Sequence, residues 1–286
     1  MAFIWELIKS IFYGLIQGIT EWIPISSTGH LILLHTVMPL NVYGDPAADL
    51  AFWNMYKVVI QLGSILAVTV VFWKRLFPFS AKKTEAKKKA IYRIWYLIAI
   101  ASIPVAILGF LLDDIVDEML STPFVVAIAL IIYGLIFLIV EVSPRKPLVN
   151  SVAEITPKQA VLVGLSESLA LIPGTSRSGS TIIGGRLLGF SRPVATEFSF
   201  FLAIPVMFGA SVLKLIKMKV PLNTAGIVIL LAGMLTSFLV SDFVIQSLMR
   251  YIRKNDFKLF GLYRIVLGIM ILILAFLGIL PMGLSA

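Results

Sequence analysis

The sequence has no cysteine and few charged residues. The absence of cysteine excludes disulfides, haem attached through cysteine and a cysteine nucleophile. Only 14% of the 286 residues are charged, whereas 59% are hydrophobic and the mean hydropathy is +1.00. Soluble domains contain about 45–50% apolar residues. The composition therefore indicates a polytopic membrane protein.

The net charge of +9 does not indicate a nucleic-acid partner. The lysines and arginines cluster between apolar segments, where loop charges orient a protein across a bilayer. The N-terminal apolar stretch carries Glu6 and Lys9 but no basic leader or small-residue cleavage site, so we do not expect a removable signal peptide. We expect membrane lipids and no nucleic acid as partners, and a homodimer is left open.

Hydrophobic runs of about 20 residues, long enough for a transmembrane helix, occur six times. We predict spans at residues 51–73, 91–112, 122–142, 194–217, 224–247 and 260–282. In residues 2–39 and 158–190 a cluster of Pro, Ser, Thr and Gly instead interrupts the apolar run. We interpret each of these segments as a re-entrant hairpin of two short helices. Irregular backbone at membrane depth must be shielded by protein or line a watery cavity, so both interruptions should lie inside the bundle.

The order of these segments predicts two repeats within a single integral membrane domain, residues 1–142 and residues 155–286. Each repeat would be a re-entrant helical hairpin followed by three transmembrane helices. An odd number of spans places the second repeat upside down relative to the first. The predicted fold is therefore an all-α polytopic membrane protein with two inverted-topology repeats.

The loop charges orient this arrangement by the positive-inside rule. Three basic regions should be cytoplasmic, and their residues are Lys74, Arg75, Lys82, Lys83, Lys87, Lys88 and Lys89, then Arg145, Lys146 and Lys158, then Arg250, Arg253, Lys254 and Lys258. One acidic loop should lie outside, and its residues are Asp113, Asp114, Asp117 and Glu118. We interpret the segment from Lys74 to Arg93 as an anchor at the anionic inner leaflet. Lys214, Lys217 and Lys219 do not fit, since they would lie near the outer face.

The two interrupted segments contain motifs that look like diverged copies. The first motif, residues 14–30, reads GLIQGITEWIPISSTGH, and the second motif, residues 164–180, reads GLSESLALIPGTSRSGS. A shift of 150 pairs Gly14 with Gly164, Gln17 with Glu167 and Gly29 with Gly179. A shift of 149 pairs Pro24-x-Ser-Ser with Pro173-x-Thr-Ser. A duplicated polar break in a membrane protein is where we expect its functional site.

The first motif offers oxygen ligands and proton-transfer groups. Gln17 and Glu21 are four residues apart and share a helix face, where their oxygens could bind a hard cation such as Mg²⁺ or Ca²⁺. Pro24 ends that helix, and Ser26, Ser27 and Thr28 supply hydroxyls at the start of the next one. Ser27 and His30 are three apart, so they could act as nucleophile and base or as two donors to an oxyanion.

The second motif is suited to an anion. Arg177 can bind phosphate through two parallel hydrogen bonds, and the free amides of a helix start favour negative charge. Ser176 and Thr181 are further candidate donors. The spacing and the lysine of a Walker motif are missing. If both motifs meet near the midplane, together they predict a phosphate or diphosphate site inside the membrane.

At these residues the sequence resembles the undecaprenyl pyrophosphate phosphatase family, bacterial enzymes linked to bacitracin resistance. The resemblance covers essentially the whole chain and depends on two signatures. They are Gln17-x-x-x-Glu21 leading into Pro24-x-Ser-Ser-Thr-Gly-His30, and Pro173-Gly-x-Ser-Arg-Ser-Gly179. It implies hydrolysis of undecaprenyl diphosphate to the monophosphate with a divalent metal, so that the lipid carrier of peptidoglycan synthesis is reused. It also implies a plasma-membrane site that opens to the periplasmic or outer side.

The resemblance also implies roles for particular residues. Glu21 and Gln17 would be the metal and acid/base pair, and Ser27 or His30 the nucleophile or proton-transfer group. Ser176, Arg177 and Thr181 would hold the diphosphate, together with Ser26 and Gln17 as substrate-binding candidates. Many members have glutamate where this chain has Gln17, so Glu21 should matter more. Whether Ser27, His30 or water attacks is left open, as is the metal.

A transporter is the alternative function. Inverted repeats with broken helices at the midplane are typical of secondary transporters, and a lipid-phosphate flippase is one specific version. A channel is disfavoured, because the sequence has no regular polar stripe to line a pore. A carrier needs a site for the charge but not Glu21, Ser27 and His30 gathered around the same anion.

Overall fold

The computed structural model describes residues 2–80, 83–120, 122–142, 146–217 and 221–280. Within these ranges the regular structure is helical, apart from one isolated backbone bridge between Val149 and Phe190. The α-helices are α1 Ala2–Thr20, α2 Ser27–Val37, α3 Pro46–Val59, α4 Gln61–Val71, α5 Trp73–Leu76, α6 Glu85–Met119, α7 Pro123–Val142, α8 Pro157–Ser168, α9 Arg177–Leu187, α10 Arg192–Lys217, α11 Thr224–Tyr251 and α12 Lys258–Phe276. Two short 3₁₀ helices cover Val152–Glu154 and Leu169–Leu171.

Six helical stretches of the described chain are long and apolar enough to cross a membrane. Their bounds are Pro46–Val71, Glu85–Leu112, Pro123–Val142, Arg192–Lys217, Thr224–Tyr251 and Lys258–Phe276. Each overlaps one of the six predicted spans, so the prediction of an all-α polytopic membrane protein is confirmed. The protein is a multi-pass membrane protein.

Capping residues explain why two spans begin several residues earlier than predicted. Asp45 accepts a hydrogen bond from the Ala48 amide at 2.8 Å, and Thr84 accepts one from the Lys87 amide at 3.4 Å. Such side chains satisfy amides that the first helical turn leaves free. The helices α3 and α6 therefore extend into polar sequence that hydropathy alone leaves outside the span.

The residues predicted as an acidic outer loop are helical, because α6 continues to Met119. No proline or glycine occurs between Gly109 and Pro123, so nothing in this stretch ends the helix. The side chains of Asp113, Asp114, Asp117 and Glu118 lie outside the described part of the structure, as do residues Lys82, Arg145 and Lys219.

Each polar motif interrupts a helix pair in the same way. We call residues 21–26, between α1 and α2, the first break, and residues 169–176, between α8 and α9, the second break. Ser26 and Ser176 cap the following helix with positive φ angles of 74° and 73°, which are uncommon for residues other than glycine. They accept hydrogen bonds from the Gly29 amide at 3.3 Å and the Gly179 amide at 3.1 Å.

The shift between the two copies changes inside the break. The capping serines are 150 positions apart, whereas Pro24 and Pro173 are 149 apart. The second break therefore has one additional residue between its proline and its cap. Gly174 lies in this longer stretch and has a φ angle of 94°, a conformation that glycine adopts without steric cost.

Both motifs are held against long helices by close backbone contact. In α1, Gly14 faces the carbonyl of Gly233 in α11, and in α8, Gly164 faces the carbonyl of Ala101 in α6. A side chain at either glycine would overlap the facing carbonyl oxygen. Glycine at these two equivalent positions thus lets each broken helix pair pack deep in the bundle.

Candidate active site

Glu21 is the centre of the polar contacts at the first break. Its Oε2 accepts hydrogen bonds from Gln17 Nε2 at 2.8 Å and from Ser27 Oγ at 2.6 Å. Its Oε1 faces the Arg177 guanidinium, with Nη2 at 3.1 Å. The carboxylate is buried, and these three partners compensate for the removal of its charge from water.

Ser27 has the geometry of an activated hydroxyl. It is the first residue of α2, where the break turns its side chain back toward the end of α1. The short bond from Ser27 Oγ to Glu21 Oε2 pairs a nucleophile with a base within hydrogen-bond reach. Ser27 is half-buried and lines a cavity between the two breaks.

Arg177 joins the second break to the first. Its Nη2 donates to Glu21, and its Nη1 donates to the Ser199 carbonyl at 3.0 Å. The guanidinium also lies over the Trp22 ring, 5.4 Å from its centroid, a favourable cation–π arrangement. The buried Nε has no hydrogen-bond partner among the described residues. Arg177 therefore retains a donor for an incoming anion.

A cavity of about 160 Å³ lies between the two breaks. Both motifs line it, through Glu21, Ser26, Ser27, Thr28, Glu167, Ser176 and Arg177. A larger cavity of about 610 Å³ shares part of this lining, and its remaining residues are mostly apolar. Thr28, Gln61 and Leu171 contribute to both cavities. A ligand with a polar head and a hydrocarbon tail suits this combination.

Gln17 and Thr181 lie behind the cavity lining. Gln17 is fully buried and donates to Glu21, while its Oε1 has no partner among the described residues. Thr181 Oγ1 donates to the Arg177 carbonyl at 2.9 Å and lies 2.6 Å from Ser199 Oγ. Gln17 thus supports Glu21, and Thr181 supports the backbone of Arg177 beside Ser199.

His30 is oriented away from Ser27. Its Nδ1 donates to the Ser26 carbonyl at 2.8 Å, because a carbonyl can only accept. This leaves Nε2 of the neutral ring to accept from the Tyr263 hydroxyl at 2.7 Å. The His30 and Tyr263 rings are nearly parallel, with centroids 5.7 Å apart. In the described structure His30 is not among the residues that line the 160 Å³ cavity.

Arg264 is a site residue that the sequence analysis did not include. It is fully buried in α12. Its Nη1 donates to the Pro24 carbonyl at 3.1 Å, and its Nη2 to the Gly174 and Thr175 carbonyls at 2.9 and 2.8 Å. One side chain therefore fixes both breaks against each other. A lone arginine within an apolar span was the signal in the sequence.

Glu167 is a second carboxylate at the cavity. It was aligned with Gln17 in the sequence but was not predicted as a site residue. It is 1% exposed, and within the described residues neither carboxylate oxygen has a hydrogen-bond partner. A charged group buried in this way is costly without a partner.

The donor set suits a hard cation. Unpartnered oxygens belong to Gln17 and Glu167, and the Glu21 carboxylate is adjacent to Gln17. Carboxylate and amide oxygens are the ligands that Mg²⁺ and Ca²⁺ take in proteins. In the described chain no three His, Cys, Asp or Glu side chains form a metal-binding cluster. A cation would therefore share its coordination with phosphate oxygens or water.

The chain is similar to known proteins over most of its length. The family model described as bacitracin resistance protein BacA matches residues 10–270. An undecaprenyl-diphosphatase of Enterococcus faecalis is 48% identical over 273 residues, covering 94% of this chain and 97% of the relative. One from Acetivibrio thermocellus is 48% identical over 276 residues, covering 96% and 99%. One from Lachnoclostridium phytofermentans is 50% identical over 265 residues, covering 92% and 94%.

Proposed function

The chain belongs to the bacitracin resistance protein BacA family, and from this membership and the site geometry we propose that it is an undecaprenyl-diphosphatase. It removes the terminal phosphate of undecaprenyl diphosphate and yields undecaprenyl phosphate for reuse in cell-wall synthesis. The observation that carries the proposal is the meeting of Glu21, Ser27 and Arg177 at one cavity. These groups come from both breaks and together provide a base, a nucleophile and an anion ligand.

The two adjoining cavities fit the two parts of this lipid. The isoprenoid units nearest the head would lie in the 610 Å³ apolar cavity, and the diphosphate in the 160 Å³ polar cavity. Lys57 and Lys214 line the larger cavity.

Arg177 binds the terminal phosphoryl group. Its Nε has no hydrogen-bond partner among the described residues. Its Nη2 can exchange the Glu21 carboxylate for a phosphate oxygen, because carboxylate and phosphate both accept charge-assisted hydrogen bonds. The amides at the start of α9 add a partial positive charge on the same side. Phosphoryl transfer depends chiefly on such positioning and charge stabilisation.

The hydroxyl of Ser27 is the nucleophile in this scheme. As Oγ attacks the terminal phosphorus, its proton passes to Glu21. The Oγ–P bond forms, the bond from phosphorus to the bridging oxygen breaks, and undecaprenyl phosphate leaves with that proton. Water then gives a proton to Glu21 and attacks the phosphoserine. Ser27 regains its proton from Glu21 as the Oγ–P bond breaks, and inorganic phosphate leaves.

His30 supports this chemistry from the side. Its two ring nitrogens bind Ser26 and Tyr263, so its position favours fixing the first break over attacking the phosphorus. Direct attack by water remains the competing scheme for the same residues. An acid-quenched single turnover distinguishes them, since only attack by Ser27 leaves labelled phosphate on the protein.

A divalent metal, Mg²⁺ or Ca²⁺, is part of the proposal. Gln17 and Glu21 would hold it with their side-chain oxygens. Such an ion neutralises charge on a transferring phosphoryl group and activates water. The residues of the chain keep the roles given above: Arg177 binds, Glu21 accepts the proton, and Ser27 attacks.

The two breaks lie at the centre of an inverted repeat of residues 1–142 and 155–286 in this proposal. Equivalent contacts support it: α1 packs on α11 as α8 packs on α6, and α4 packs on α11 as α10 packs on α6. The matching caps at Ser26 and Ser176 also support it. Both helix pairs would be re-entrant hairpins. The basic loops would then face the cytoplasm and the cavity would open to the outer side of the plasma membrane.

Release of inorganic phosphate by purified protein in detergent tests the function. A flippase or secondary transporter has no transmembrane gradient to use there, and the names of the relatives do not favour that alternative. The protein should convert undecaprenyl diphosphate to undecaprenyl phosphate and one phosphate. Redistribution of lipid across liposomes without phosphate release would overturn the proposal.

A further inference from the structure

Glu167 is a buried carboxylate that the reaction scheme does not use. It lies in the last turn of α8, two residues before the second break, and is 1% exposed. Its two carboxylate oxygens have no hydrogen-bond partner within the described residues. Ionisable groups inside membranes are costly and usually functional. The absence of a fixed protein partner leaves both oxygens available to a ligand.

Glu167 borders the site of the reaction. It lines the same 160 Å³ cavity as Glu21, Ser27 and Arg177. Arg177 also lines this cavity and forms an ion pair with Glu21. The guanidinium therefore borders the same cavity as one carboxylate from each motif.

The two carboxylates differ in how fully they are engaged. Glu21 accepts from Ser27, Gln17 and Arg177, so three protein donors already fix it. Glu167 occupies the position in the second motif that Gln17 occupies in the first. Oxygens without hydrogen-bond partners among the described residues thus occur at both of these aligned positions, the amide oxygen of Gln17 and the two carboxylate oxygens of Glu167.

A diphosphate in this cavity would face the negative charge of Glu167. Among the described residues that line this cavity, Arg177 is the one cation beside the carboxylates of Glu21 and Glu167, and a diphosphate would add further negative charge. Like charges in an enclosed site repel unless a cation lies between them, and a hard divalent cation binds carboxylate and phosphate oxygens together. A cation beside Glu167 would turn that repulsion into attraction.

We propose that Glu167 joins Gln17 and Glu21 as an oxygen ligand of the divalent cation that accompanies the diphosphate. This inference rests on the proposed function and deepens it. Glu167 provides the principal charged ligand, because Glu21 is already engaged with Ser27 as the base of the reaction. The cation site, like the phosphate site, would then combine residues of both motifs.

Binding of Mn²⁺ to the purified, substrate-free protein tests this role without measuring activity. Electron paramagnetic resonance distinguishes free from bound Mn²⁺. Glu167→Gln keeps the side-chain size and should weaken Mn²⁺ binding about tenfold or more. Glu154→Gln removes an exposed carboxylate in the 3₁₀ helix Val152–Glu154, which does not line the cavity, and this matched control should bind like the wild type.

A second variant moves the carboxylate between the equivalent positions. The double variant Gln17→Glu/Glu167→Gln should regain most of the Mn²⁺ binding that Glu167→Gln loses. Circular dichroism and a monodisperse elution profile establish that each protein is folded. The inference is overturned if Glu167→Gln binds Mn²⁺ like the wild type, or if the double variant recovers none of the binding.

The two proposals can fail separately. Wild-type protein that binds Mn²⁺ through Glu167 but releases no phosphate from undecaprenyl diphosphate would retain the cation site and overturn the proposed function. Wild-type protein that releases phosphate, with unchanged Mn²⁺ binding in Glu167→Gln, would retain the function and overturn the cation role.

Discussion

The two breaks have the same backbone design but different chemistry. Ser26 and Ser176 cap their helices with nearly identical φ angles, and Gly14 and Gly164 give each helix pair a close backbone contact. The first break carries the carboxylate and hydroxyl pair, whereas the second carries the guanidinium. In the function proposed above, two breaks with matching caps contribute unlike groups to one site, and neither break contains all the groups that the reaction needs.

Of the changes considered, removal of the Ser27 hydroxyl should cause the largest loss of activity. Ser27→Ala should lower kcat on the order of 10⁴-fold, toward the loss seen when a nucleophile is removed from a serine hydrolase. Ser178→Ala is the control, because the Ser178 hydroxyl contacts the Glu21 backbone carbonyl and the Ser176 hydroxyl, each at 3.2 Å, and is not among the described residues that line the 160 Å³ cavity. Phosphate release from undecaprenyl diphosphate measures both. More than a tenth of wild-type kcat in Ser27→Ala would assign the attack to water.

Arg177→Lys should produce the next largest loss, of about 10³-fold in kcat/KM. Lysine keeps the charge but loses the planar donors that bind phosphate in pairs. Arg186→Lys makes the same change on the same helix, at a side chain that faces Glu141 instead, and should retain most of the activity. Equal effects of the two changes would remove the special role given to the second break.

Arg264 connects the breaks, so its loss should affect both. Arg264→Met would leave the carbonyls of Pro24, Gly174 and Thr175 buried without this donor, at a cost of about 1–3 kcal/mol for each unsatisfied group. We expect a Tm several degrees lower and phosphate release reduced about tenfold. Arg264→Lys should show smaller changes in both. Unchanged Tm and activity in Arg264→Met would mean that the breaks hold their positions independently.

The sequence predicted the membrane class, the six spans and the two broken segments. Periodicity and hydropathy determine these features locally, whereas the early starts of α3 and α6 depend on the caps Asp45 and Thr84, which hydropathy alone does not detect. The contacts between distant segments were not predictable. Arg264 binds carbonyls about 90 and 240 residues away in sequence, and no local pattern indicates such partners.

The site residues show the same contrast between features that a local pattern indicates and contacts that depend on the folded chain. Glu21, Ser27 and Arg177 were candidates because their types and spacing carry chemistry, and the structure brings them together. His30 was paired with Ser27 on spacing alone, and its ring nitrogens contact the Ser26 carbonyl and the Tyr263 hydroxyl. Glu167 was visible as the partner of Gln17 in the alignment. Its burial and open oxygens needed the folded structure.

The smallest effects should come from the capping serines. Ser26→Gly and Ser176→Gly lose a cap but relieve the positive φ of a residue with a side chain, so each should change stability by less than about 1 kcal/mol. The two Tm shifts should agree in sign and size, which would sharpen the equivalence of the backbones. A loss of phosphate release in only one variant would assign that hydroxyl to substrate binding and separate the two breaks further.

Coupling between Glu21 and Arg177 tests most directly whether the two breaks form one site. Phosphate release is measured for Glu21→Gln, Arg177→Lys and the double variant. Groups that act as a unit give non-additive losses, so the double variant should be no more than about threefold slower than the slower single variant. Losses that multiply, as they do for independent sites, would contradict a single active site shared by both breaks.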